Sequence, residues 1–185
     1  ESGSSNWIAS GTPGLWHLSN LRSNSPVTSW YYGQEVTQDY NTGAANDGTL
    51  TTASTINLVD NTEAVLTFYE WSEVESTSSY DRTRVQVSTD NITWDTVFES
   101  HGTNNLWEKR QVDLTPYVGE NISLRYGFDS IDNILNTFEG WYVDDVQIVT
   151  DSIVVPNNPP FATNDSFDVS ENSLNNVFDV LQNDT

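Results

Sequence analysis

The fold class this sequence predicts is an antiparallel all-β sandwich, on three observations. Strand-like runs recur at intervals of roughly ten residues, separated by turn clusters. No long stretch carries the 3.6-residue apolar period of a helix. The composition is 21 Ser, 21 Thr and 20 Asn with 12% aromatic residues and a single lysine, Lys109. Thr, Val, Tyr and Trp favour strands, whereas Asn, Asp, Gly and Ser favour turns.

In chain order, strands are expected at 7–9, 15–18, 30–33, 50–58, 64–71, 83–88, 93–99, 107–114, 122–128 and 140–149. The first two are short apolar runs beside Gly, Ser and Pro. The third is the aromatic triplet Trp30-Tyr31-Tyr32, closed by Gly33. The segment 50–58 is Thr-rich and ends on Ile56 and Leu58, and 64–71 carries Leu66, Phe68 and Trp71. Val85 and Val87 mark the next strand, which the Thr89-Asp90-Asn91 turn joins to 93–99 as a hairpin. The clearest alternation sets Ile122, Leu124, Tyr126 and Phe128 against Ser123, Arg125, Gly127 and Asp129, so this strand has one buried face. A short helical turn is expected around 131–135 before the last strand.

Residues 1–150 form the expected main domain. Composition changes at Asp151, and 151–160, with Pro156-Asn157-Asn158-Pro159-Pro160, reads as a stiff linker. Residues 161–185 hold two strand-like runs, 166–170 and 177–181, too few for an independent domain. They are expected to be the truncated start of the next module, extended and paired with a sheet edge. The lack of any methionine, even at position 1, points to a piece of a longer chain.

Six basic residues against 27 acidic ones give a net charge of -21. This argues against nucleic acid and anionic membrane as partners, since both need Lys and Arg to displace counterions. No apolar run reaches the roughly 18 to 20 residues of a membrane span, so no membrane insertion is expected. Without cysteine there are no disulfides, thiolate metal sites or cysteine nucleophiles. An acidic, Asn-rich, cysteine-free surface suits a secreted or cell-surface prokaryotic protein in salty, calcium-containing water.

An ordered series of motifs carries a resemblance. It comprises Trp30-Tyr31-Tyr32-Gly33, Tyr40-Asn41-Thr42-Gly43, Gly48-Thr49-Leu50 with Ile56-Asn57-Leu58, and Leu66-Thr67-Phe68. It continues with Tyr80-Asp81, Val85-Gln86-Val87-Ser88-Thr89-Asp90, Trp94, Trp107, Val112-Asp113-Leu114 and Tyr117-Val118-Gly119, and ends on Gly140-Trp141-Tyr142-Val143-Asp144-Asp145-Val146. Together these resemble the MAM-like jelly-roll modules found beside secreted bacterial peptidases of the immune-inhibitor-A type, over roughly residues 6–150. The resemblance implies a jelly-roll β-sandwich. Asn91 stands where the family's hairpin usually has Gly, and the cysteines of the eukaryotic relatives are missing, which favours the bacterial branch. The tail, with Asn164-Asp165-Ser166-Phe167 and Asp179-Val180-Leu181-Gln182-Asn183-Asp184, looks like the opening of a tandem cadherin-like or immunoglobulin-like bacterial repeat.

Catalysis finds little support. His17 and His101 are the only histidines, and neither a nucleophile elbow nor a His-Glu-x-x-His pattern is present. Close carboxylate pairs, as a glycosidase needs, arise by chance among 27 acids. An oxygen-rich metal site selects calcium. If Val146 and Ile148 face the core, strand parity turns Asp144 inward with them. Asp81 shares a face with Val85 and Val87. Buried acids are costly without a cation or hydrogen-bond donors. Asp144 and Asp81 are therefore the expected calcium ligands, with Glu75 and Asp47 completing the shell and Asp145, of opposite parity, the weaker candidate. The competing reading is that these acids cap turns or face solvent.

Trp16, Trp30, Tyr31, Tyr32 and Trp107 are the candidate ligand-binding rings, since exposed aromatics stack on sugars or anchor proteins. Alternation turns Tyr31 away from Trp30 and Tyr32, and the competing reading buries all of them in the core. Trp71, Trp94 and Trp141 are assigned to the core or its margin. The functional expectation is a non-catalytic, calcium-stabilised binding or adhesion module for a polysaccharide or protein surface, in a larger extracellular protein. The alternatives are an accessory domain of a secreted hydrolase, aiding folding or targeting, and a structural spacer.

Overall fold

The computed structural model describes residues 4–77 and 79–152, together with Asp168 and Leu174. Contacts within the chain divide it into Glu1–Ile153 and Val154–Thr185. The expectations for the linker from 153 onward, the two tail strands and their edge pairing fall on residues outside the described ones.

The described chain folds as two antiparallel sheets. Its strands are β1 (Trp7–Gly11), β2 (Trp16–Ser19), β3 (Ser29–Tyr32), β4 (Asp47–Thr52), β5 (Ile56–Asn57), β6 (Asn61–Glu73), β7 (Arg82–Ser88), β8 (Asp95–Ser100), β9 (Glu108–Asp113), β10 (Asn121–Asp129) and β11 (Gly140–Ser152). One sheet runs β1-β4-β10-β7-β8, with β5 added beside β10; the other runs β2-β3-β11-β6-β9. The result is a jelly-roll β-sandwich, as the strand pattern predicts.

Each sheet contributes its alternate residues to one core. Leu50, Val85, Val87, Ile122, Leu124, Tyr126 and Phe128 come from the first sheet, and Trp16, Trp30, Tyr32, Leu66, Phe68, Trp141 and Val143 from the second. Trp141 packs edge-on against Tyr126 across the sandwich, and its indole N–H donates to the buried Glu70 carboxylate at 2.9 Å.

Three local features depart from the sequence reading. The single strand expected over 50–58 is two, β4 and β5, separated by a bend at Ala53 and Ser54. The segment 131–135 is a run of bends rather than a helical turn, with Ile131 and Leu135 both at left-handed φ near +59° and +58°. Helical hydrogen bonding cannot propagate through that conformation. The last strand runs on to Ser152, so Asp151 and Ser152 extend the ladder with β6 instead of opening the linker. The β7–β8 hairpin turns at Asn91, at φ +59°, while the Asp90 carboxylate accepts from the amides of Ile92 and Thr93 at 2.8 Å each. Those bonds hold its carboxyl well below the usual range.

Candidate functional site

The polar side of β10 forms the floor of a cleft on the outer face of the six-stranded sheet. Register sets Gly127 beside Thr49 of β4 and Arg84 of β7, Arg125 beside Gln86, and Asp129 between Asp47 and Arg82. All of these residues but Arg82, with Ala45, Asn46 and Phe128, line a depression of about 390 Å³. Gly127 keeps it open: a Cβ there would meet only Gln86 Oε1 at 3.6 Å and Thr49 Cγ2 at 4.0 Å. The wall at Asn46 is fixed, because Tyr32 Oη donates to its Oδ1 at 2.8 Å, its backbone N–H donates to Ser130 Oγ at 2.9 Å, and its Nδ2 donates to the Tyr40 carbonyl at 2.9 Å.

Charge is divided along the cleft. At one end Asp129 faces Arg84 at 3.4 Å and Arg82 at 3.8 Å, with Asp47 alongside. At the other, Arg125 donates through Nε to Gln86 Oε1 at 2.8 Å and lies over the Trp94 ring at 4.1 Å. Gln86 is itself held by donating to Thr96 Oγ1 at 3.1 Å. Burial, and secondarily the charge of Arg84, push the Arg125 pKa down. Among the described residues Arg125 is in no ion pair.

The acids expected to bind calcium lie in three separate places. Asp144 does not point inward with Val146 and Ile148. A bulge between Asp144 and Gln147, with Asp145 at φ +50°, inverts the parity of β11, so Val143 is inner and Asp144 outer. There the fully buried Asp144 accepts from the amides of Asn24 (2.6 Å), Ser25 (3.1 Å) and Asp145 (2.8 Å). Three N–H donors thus meet the buried Asp144 carboxylate, the hydrogen-bonded alternative to a cation. Asp145 accepts from Asn24 Nδ2 and Ser25 Oγ, clamping the same loop.

Asp81 sits on the inner face before β7 and is fully buried; its Oδ2 accepts from Tyr40 Oη and from the Glu75 amide at 2.8 Å. Its Oδ1 has no hydrogen-bond partner. Burial raises its pKa, as it does that of Glu75. Asp47 lines the outer cleft instead. Among the described residues no three His, Asp or Glu side chains are grouped to hold a metal ion.

The expected aromatic platform is not exposed. Trp16 (4%), Trp30 (7%) and Tyr32 (0%) belong to the core, where Trp16 meets both Tyr32 and Trp141 at 5.5 Å. Tyr31 does face the opposite way, onto the outside of the five-stranded sheet, yet it too is buried. It stacks on Tyr142 at 4.1 Å, with Trp71 and the half-buried Trp107 around the pair. Arg22 covers them, 3.9 Å from the Trp71 ring centroid and bidentate to Glu139 at 2.6 and 2.8 Å, while the Tyr31 and Tyr142 hydroxyls also donate to Glu139. Trp94 is the ring at the cleft that the sequence assigned to the core margin. The signal that locates the cleft was the polar face of β10, Arg125, Gly127 and Asp129.

Neither histidine is part of a triad. His17 Nδ1 lies 2.8 Å from the Leu15 carbonyl and Nε2 3.1 Å from Glu35, and His101 pairs loosely with Glu99 at 3.6 Å.

No family model matches this chain. Bacillopeptidase F of Bacillus subtilis (strain 168) is 28% identical over 151 residues, which are 79% of this chain and 10% of that protein, so the chain spans about a tenth of the relative it resembles. Among solved structures, TmCBM61 in complex with β-1,4-galactotriose aligns with a TM-score of 0.55 at 12% identity, over 80% of this chain and 90% of its own. The C-terminal family 22 carbohydrate-binding module of Clostridium thermocellum Xyn10B aligns at 0.51 with 13% identity, over 84% and 92%. The fold is thus that of jelly-roll carbohydrate-binding modules. No described helix is long and apolar enough to cross a membrane.

Proposed function

We propose that this chain is a non-catalytic polysaccharide-binding module of a larger extracellular protein, and that it binds through the outer cleft of the six-stranded sheet. The observation that carries the reading is the open floor at Gly127, lined by Thr49, Gln86, Asp47 and Asp129, groups that exchange hydrogen bonds with sugar hydroxyls. TmCBM61, bound to a galactotriose, and the Xyn10B module, studied for ligand binding in its cleft, support it through the shared fold. The likeness to Bacillopeptidase F supports an accessory place beside a hydrolase, with the MAM-like type as the finer assignment. Calcium belongs to this proposal only at Asp81, whose buried Oδ1 is without a partner, with Glu75 beside it.

The test is affinity electrophoresis and calorimetry against β-1,4-galactan, xylan, polygalacturonate and alginate, alongside assays for glycan and peptide hydrolysis. Binding without hydrolysis is expected, abolished by Gly127→Leu, which fills the cleft without moving the melting temperature. Binding to none of the glycans, or binding that Gly127→Leu leaves intact, overturns the reading.

A further inference from the structure

Only six of the 185 residues are basic, yet Arg82, Arg84 and Arg125 share one face, on the neighbouring strands β7 and β10. Arg84 is close enough to Arg125 to disfavour its charge. Arg82 and Arg84 are offset by Asp129. Arg125 is offset by nothing charged among the described residues, in a protein with 27 acids to spare. It is nonetheless held in place, its Nε tied to Gln86 and its guanidinium laid on Trp94. A half-buried cation kept rigid and unpaired is poised for an acid from outside, because its ordering cost is met before the ligand arrives.

Resting on the cleft reading above, we infer that the ligand carries a carboxylate: a glycan containing uronic acid, its carboxylate received by Arg125 with Arg84 beside it. The planar guanidinium fork matches a carboxylate in geometry as well as charge. The other end of the cleft explains why the anion is a sugar acid. Asp129 lies four residues along β10 from Arg125, roughly 13 Å at the strand rise, with Asp47 opposite it on β4. They accept hydrogen bonds from hydroxyls and repel a second close anion. A hydroxylated chain with a carboxylate on one side meets both ends, whereas a densely charged polyanion does not. The net charge of -21 is no barrier to such a ligand, since at physiological ionic strength fields are screened within about 8 Å. The groups lining the cleft therefore decide the contact.

The experiment compares oligogalacturonate and oligoglucuronate with their carboxyl-reduced, neutral counterparts and with a sulfated neutral oligosaccharide, by calorimetry on the full chain. Reduction of the carboxyls is expected to weaken binding on the order of tenfold or more. Arg125→Gln should abolish the preference for the acidic sugar over its carboxyl-reduced counterpart, and Arg125→Lys should restore part of it. The melting temperature of each variant confirms folding. Asp129→Asn, which frees Arg84, should strengthen the acidic preference and so tests the cleft without removing a cation. Equal binding of acidic and reduced sugars overturns this inference and leaves the polysaccharide reading standing. A preference for the sulfated over the uronic sugar overturns it in the same way. Binding to none of the sugars overturns both.

Discussion

Asp81 joins the core through parity with Val85 and Val87, and its carboxylate is enclosed with one oxygen satisfied by Tyr40 Oη and the Glu75 amide and the other by nothing. Burial raises its pKa above 3.8, outweighing the bonds from Tyr40 and Glu75, with Asp132 and Asp129 adding to the rise. A carboxyl whose folded pKa exceeds its unfolded value binds more protons when folded, so its contribution is favourable below about pH 4 and is lost as pH rises through the folded value. Urea unfolding in chelator should therefore show the wild type losing stability relative to Asp81→Asn between pH 4 and pH 8. A difference that is flat with pH contradicts this account. Saturating calcium should restore the wild type at pH 8 and leave Asp81→Asn unmoved; no response in either removes calcium from the proposal. Asp81 was legible in the sequence because period-2 alternation fixes its direction. Arg125 was not legible as a binding residue, because what distinguishes it is the lack of a facing acid, and that is a property of the register of β7 and β10.

β11 shows where the same alternation fails. Strand positions were readable from apolar residues at every second place, and the sandwich follows from them. Parity, however, is carried along a strand only as far as the ladder is regular. The extra residue at Asp145 moves Asp144 from the inner to the outer face, where it ties the loop at Asn24 and Ser25 to the sheet. The bulge is hidden in 140–149 because Tyr142 is as aromatic as Trp141, so the even positions 142, 146 and 148 read as one continuous face and the shift from odd to even inner residues goes unseen. Burial of Tyr31 and Tyr142 was equally hidden: their cover, Arg22 with Glu139, joins residues that are 117 positions apart. The role of Asp144 as a clamp gives a measurable expectation. Asp144→Ala leaves three amide donors without their acceptor and should cost about 1–3 kcal/mol, or roughly 2–4 °C of melting temperature per kcal/mol. The loss should be the same in calcium and in chelator. A loss that appears only in calcium would return the ion to Asp144.

The whole molecule places its cleft, its core and the outer aromatic cluster around Tyr31 within Glu1–Ile153, while the relative it resembles is about ten times the length of the matched segment. The sandwich is closed by the strand laid in last, and β11 performs that closure. It enters at Gly140, pairs with β3 through Trp141–Val143 and with β6 through Ser152, and so forms the middle strand of the five-stranded sheet. Chain ending just past that ladder should keep everything the fold requires; chain ending inside it should not. A protein truncated after Ile153 is expected to melt within about 2 °C of the full chain, no more than the shift produced by about 1 kcal/mol in a domain of this size. It should also bind the same glycan, since every cleft residue lies between Ala45 and Asp129. One truncated after Val146 keeps Trp141 in the core but strips the β11 partners from Ala64, Val65, Leu66 and Thr67 of β6, leaving β9 on its other side. It opens the sandwich beside Ile56 and Leu124 as well, where Ile148 packs. That protein should lose its cooperative thermal transition. A cooperative transition after Val146, or a fall of more than about 5 °C after Ile153, would show that closure lies elsewhere in the chain.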